Sequence, residues 1–91
     1  MPTATARRQI KAIQIVTHNT LLHSGRVWIV PSQSGSGNYR VYDDPVSPFC
    51  TCPDFERRQA RCKHIYAVEY YQLREQMIAK KGNQNDYSRS Q

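Results

Sequence analysis

The feature that most limits what this chain can fold into is the stretch Cys50-Thr51-Cys52-Pro53-Asp54-Phe55-Glu56-Arg57-Arg58-Gln59-Ala60-Arg61-Cys62-Lys63-His64. It is a C-x-C pair, nine intervening residues and a C-x-H pair. Zinc takes four nitrogen or sulfur donors in a tetrahedron, about 2.3 Å from sulfur and about 2.0 Å from nitrogen, and two chelating pairs on a short loop supply that set. Side chains two apart on a helix point in different directions, so Cys62 belongs just before a helix and His64 in its first turn. Cys50 and Cys52 flank Thr51 in a tight non-helical knuckle, and Pro53 biases Cys52 toward extended geometry. Asp54 then reads as a turn residue or helix N-cap. Three thiolates, a neutral imidazole and Zn²⁺ sum to one negative charge, which a helix N-terminus and the nearby Arg57, Arg58, Arg61 and Lys63 would balance. Four protein ligands leave no open position for water or substrate, so the expected zinc ion is structural. His18 and His23 are then ordinary polar positions.

A chain this short needs such a staple. At 91 residues and 10.6 kDa, with 38% hydrophobic residues, it has room for one small domain with a marginal core. Disulfides are a poor alternative, because three cysteines leave one over and a Cys50–Cys52 bridge would close a strained ring. Asp43, Asp44, Asp54, Glu56, Glu69, Glu75 and Asp86 show no catalytic spacing, so neither an enzyme nor a small-molecule substrate is expected. The longest apolar run, Val27-Trp28-Ile29-Val30, is far too short for a membrane span. Lys11, Gln14, Thr17 and His18 interrupt any secretory apolar core, and a cytoplasmic location follows as the expectation.

Charge is placed unevenly. Arg7, Arg8, Lys11, Arg26 and Arg40 precede the first acidic residue, Asp43. A basic half without acids suits a polyanion, nucleic acid before a membrane surface. The expected nucleic-acid contacts are Arg7, Arg8 and Lys11 near the N-terminus and Arg57, Arg58, Arg61 and Lys63 around the cysteines. The competing reading is that these charges serve solubility.

The periodicities predict a small α+β fold: a zinc-stapled β-hairpin followed by a helix, with an additional N-terminal helix. A basic helical segment spans 1–25, with Ala6, Ile10, Ile13 and Thr17 on one face over residues 4–17. The finger spans 26–82, with a hairpin over 26–43, a zinc knuckle over 49–64 and a helix over 64–81. The hairpin loop holds Gly35-Ser36-Gly37, which would cradle a phosphate only in a strand–loop–helix context and otherwise reads as a plain turn. On the last helix Tyr66, Tyr70, Leu73 and Met77 form the stripe expected to pack on the hairpin, and Tyr71, off that stripe, is the candidate protein contact. Gly82 is the expected stop, and 83–91 form a polar tail expected to be disordered.

The wording Cys50-Thr-Cys-Pro-Asp-Phe and Cys62-Lys-His-Ile-Tyr-Ala-Val resembles the SWIM-type zinc finger. That resemblance covers residues 27–80 and implies a β-hairpin followed by a zinc-anchored helix, with a role in binding DNA or protein. More narrowly, Val27-Trp-Ile-Val-Pro-Ser-Gln-Ser-Gly-Ser-Gly-Asn-Tyr-Arg-Val resembles the segment before the catalytic domain of bacterial insertion-element transposases. A chain of this length leaves no room for that catalytic domain, so the expectation is a stand-alone or truncated transposase-associated module. Two functions follow: a zinc-dependent nucleic-acid-binding module, or a protein-interaction module docking a transposase or recombination partner.

Overall fold

Thr3 opens the first helix, its hydroxyl accepting the Ala6 N–H at 3.0 Å. Helix α1 runs Ala4–His18 and frays into extended backbone at Asn19, whose side-chain amide donates back to the Ile15 carbonyl at 3.0 Å. The computed structural model in which these features are seen describes residues 2–33, 35 and 37–90, with side chains as far as Ile78. The β-branched cluster Ile13, Ile15, Val16 and Thr17 does not break α1, because tertiary packing outweighs propensity. The packed face is not the expected one, however. Ala12, Ile15 and Val16 are buried against the rest of the fold, while Ile10 and Ile13 stand about half exposed.

The expected hairpin is the centre of a four-stranded antiparallel sheet in the order β1-β2-β3-β4. β2 (Val27–Pro31) pairs with β3 (Asn38–Tyr42), Trp28 opposite Val41. Trp28, Val30 and Val41 alternate onto the inner face. Two short strands were not expected: β1 (Leu22–Ser24) beside β2, and β4 (Phe49–Cys50) beside β3. β1 turns into β2 through Gly25, whose φ of +60° is a left-handed conformation that glycine adopts without strain. β4 sets Cys50 opposite Val41, so the sheet register itself aims the first ligand inward. Ser34 and Ser36, and with them a phosphate cradle in the β2–β3 loop, lie outside the described residues.

After the knuckle, where Asp54 was expected as a turn residue or N-cap, comes a short helix, α2 (Pro53–Arg58). Its N-cap is Cys52 rather than Asp54: the Cys52 sulfur accepts the Phe55 N–H at 3.4 Å, and Pro53 fills the first helical position. Gln59, with φ of 54°, ends it in the left-handed region. Helix α3 runs Lys63–Ser90, its backbone passing Gly82, where a stop was expected. One glycine costs a helix about 1 kcal/mol relative to alanine, which weakens it without ending it. How the polar side chains of 83–91 pack lies outside the described residues.

The face of α3 that packs also corrects an expectation. Ile65, Ala67, Val68 and Tyr71 are buried, with Tyr71 only 8% exposed. Leu73 and Met77 are 54% and 62% exposed, and Tyr66 and Tyr70 sit at the margin of the core. The Tyr71 ring meets Trp28 edge-on at 5.8 Å and carries the Arg74 guanidinium on its face. Tyr71 is therefore a core residue and not an exposed protein contact. The small α+β architecture expected from the sequence is the one found.

Candidate metal centre

Three elements deliver the four donors. Cys50 ends β4, Cys52 caps α2, Cys62 immediately precedes α3, and His64 lies in the first turn of α3. All four are buried, and their ligand atoms lie within 4.8 Å of one another. A tetrahedron of bonds about 2.3 Å long has edges of about 3.8 Å, so a zinc ion fits this spacing with only a small contraction. His64 Nδ1 is 3.8 Å from the Cys62 sulfur. Its Nε2 is sealed from solvent with no hydrogen-bond partner among the described residues. An imidazole and three sulfurs gathered out of solvent are the donor set that a zinc ion takes.

The thiols agree with that reading. Without a cation three sulfurs so close cannot all be charged. Cys62 is pushed down to about 4, first by a hydrogen bond from the Cys50 thiol and then by hydrogen bonds from His64 and the Ile65 N–H. The same Cys50–Cys62 hydrogen bond, with burial, pushes Cys50 up, and burial pushes Cys52 up. Zinc changes this balance, because a bound thiol ionises outright. Backbone N–H groups at the starts of α2 and α3 already point at two of the sulfurs, from Phe55 to Cys52 and from Ile65 to Cys62. The donor set closes the coordination sphere with protein atoms, so the site holds one structural zinc ion. Among the described residues this is the cluster that can hold a metal.

The basic residues divide into two groups. Arg7, Arg8 and Lys11 on α1 and Lys63 at the start of α3 line one cleft of about 440 Å³, with the metal ligands Cys52, Cys62 and His64 in its wall. Lys63 donates to Gln33 at 2.8 Å, and its ammonium is pushed down first by burial and then by Lys11. The other three are not in that lining: Arg57 is exposed, Arg61 pairs with Glu69 at 2.9 Å, and Arg58 grips Asp54 with two bonds of 2.9 Å.

Asp54 and Tyr39 were missed as site residues. Asp54 accepts from Arg58 and also from Arg8, at 3.1 Å, tying α1 to the finger. Those bonds, Arg58 first and Arg8 next, hold its carboxyl well below its ordinary value of 3.8. Its contribution to stability is therefore full above that ordinary value and fades as pH falls through and below it. The carboxylate is about two-fifths exposed, so Asp54→Asn is expected to lower the stability of the zinc-loaded protein at pH 7 by about 1 kcal/mol or less. Urea midpoints of the two proteins measure it. Tyr39 lies beside the His64 ring, centroids 4.6 Å apart. The period of two in β3, which puts Tyr39 on the same face as buried Val41, was the signal for it.

Among the described residues no helix is long and apolar enough to cross a membrane. No curated protein and no solved structure matches the chain. The SWIM zinc finger family does match, over residues 26–73. That span holds the sheet from β2 onward, α2, the first turns of α3 and all four buried donors, and on this ground the chain belongs to the SWIM zinc finger family.

Proposed function

We propose that this protein is a non-catalytic, zinc-stapled module that binds nucleic acid, DNA in the first place, through the cationic cleft between α1 and the finger. The observation that carries the reading is convergence. Residues 7, 8 and 11 are far from residue 63 in sequence, yet all four cations line one concavity. Surface charge that serves solubility alone has no reason to gather so. Lys and Arg gathered in one concavity neutralise phosphates and release their counterions, which gives affinity a characteristic salt dependence. Arg57, Arg58 and Arg61 play a smaller part in this reading, since two of the three are engaged by carboxylates. Free thiols that serve zinc suit the reducing cytoplasm, and the resemblance of residues 27–41 to a transposase segment makes transposition machinery the first place to look for its partners.

Fluorescence anisotropy of the zinc-loaded chain on duplex and single-stranded DNA, titrated with salt, tests the proposal. Arg7→Ala with Lys11→Ala is expected to weaken binding and to flatten the log–log salt slope, by about 1 for each phosphate contact removed. Failure to bind at low salt would shift the weight to protein docking. That second reading has its own observation, an apolar groove of about 340 Å³ on α3 lined by Tyr70, Leu73, Arg74, Met77 and Ile78.

A further inference from the structure

The cleft beside the metal centre has a shape and charge that say more than "polyanion". Its walls come from α1, from the hairpin at Tyr39, from the start of α2 at Asp54 and from the start of α3 at Lys63. A concavity of about 440 Å³ bounded on so many sides takes something the size of a small ligand. A continuous backbone can pass along the mouth of such a concavity, whereas a strand end can also enter it.

Charge narrows the choice. Arg8 shares the Asp54 carboxylate with Arg58, which lies outside the cleft lining. Arg7, Lys11 and Lys63 then face a metal centre that carries one net negative charge when zinc is bound. Among the described residues, at least two positive charges remain without a countercharge inside the cleft, Lys63 donating only to the neutral Gln33 amide. A phosphodiester within a strand brings one negative charge, whereas a phosphate monoester brings about 1.5 to 2 at neutral pH. Tyr39, half buried at the rim beside His64, offers a ring face against which a terminal base can stack.

We infer that this cleft receives the phosphorylated end of a nucleic-acid strand, with Arg7, Lys11 and Lys63 on the terminal phosphate monoester. This rests on the nucleic-acid reading above and specifies what that site selects. The reading alone requires only backbone contacts; a site for ends requires that a terminal phosphate add affinity.

The test uses the zinc-loaded full chain and one short single-stranded DNA in four forms: 5′-phosphorylated, 3′-phosphorylated, hydroxyl at both ends, and circularised. One of the two phosphorylated forms is expected to bind about tenfold more tightly than the hydroxyl form, the worth of one added charge-assisted contact set. The circle should bind like the hydroxyl form. Lys11→Ala and Lys63→Ala should each collapse the preference toward unity, with the helical circular dichroism of the loaded protein checking their folding. Equal affinity for all four forms overturns the inference while leaving nucleic-acid binding in place. A preference that survives both substitutions overturns it too, by placing the end elsewhere. No binding of any form removes the nucleic-acid reading and this inference with it.

Discussion

Removing zinc with a chelator is expected to abolish most of the helical circular dichroism of this protein, and Cys62→Ser is expected to do the same in the presence of zinc. The core explains why. Cys50, Cys52 and Cys62 are not beside the hydrophobic core but inside it, in one cluster with Val41, Phe55, Ile65 and Val68. Without the metal, that cluster contains three mutually crowded thiols and a buried imidazole. Structural zinc contributes roughly 10–16 kcal/mol in small domains, against about 3–5 from an apolar core of this size. The metal term is the larger of the two. Cys62→Ser is an informative substitution because a serine hydroxyl can still accept the Ile65 N–H that the sulfur accepts now. Capping survives and ligation does not, so loss of structure would report ligation. A chain that keeps its helix content after chelation would show that the apolar core suffices, contrary to this account.

Much of the finger could be read from the sequence because the metal imposes strict local rules. The C-x-H spacing fixes where α3 starts, and the apolar run from Val27 to Val30 with a return strand from Tyr39 places the central hairpin to within a residue or so at each end. What escaped is what depends on distant partners. β1 and β4 are three and two residues long, too short to show a period, and exist because β2 and β3 offer edges to pair with. On α3 the aromatic stripe and the buried face differ, because the metal ligand sets the helix phase. His64 must face the metal, and on a helix the positions sharing its face are four and seven residues on, which are Val68 and Tyr71. Tyr66, two positions from His64, is rotated away, and Leu73 and Met77 go outward with it. The position of the ligand His64 therefore determines which face of α3 is buried. In the cleft, the pairing of Arg8 with Asp54 joins residues 46 apart in sequence, and no local pattern signals it.

The same lesson about register applies to α1, where two isoleucines two residues apart are expected to behave very differently. Ile15 is 1% exposed and Ile13 is 53% exposed. Ile15→Ala should destabilise the zinc-loaded protein by about 2–5 kcal/mol, from lost transfer energy and the cavity left behind. Ile13→Ala should stay within about 0.5 kcal/mol, since it removes little buried surface and alanine favours the helix. Urea unfolding of the loaded proteins separates the two. The comparison decides whether α1 is an appendage or part of the finger. The family match begins at residue 26, beyond α1, yet Arg74 of α3 donates to the Val16 carbonyl at 3.1 Å and Ala12, Ile15 and Val16 belong to the same buried cluster as the cysteines. Because zinc binding and folding are coupled, the Ile15→Ala loss should also appear as weaker zinc affinity, although the residue is not a ligand. An Ile15→Ala protein as stable and as zinc-avid as the parent would make α1 a dispensable arm. The expected loss would instead make α1 a rigid wall of the cleft, holding Arg7, Arg8 and Lys11 at a fixed place above the metal centre.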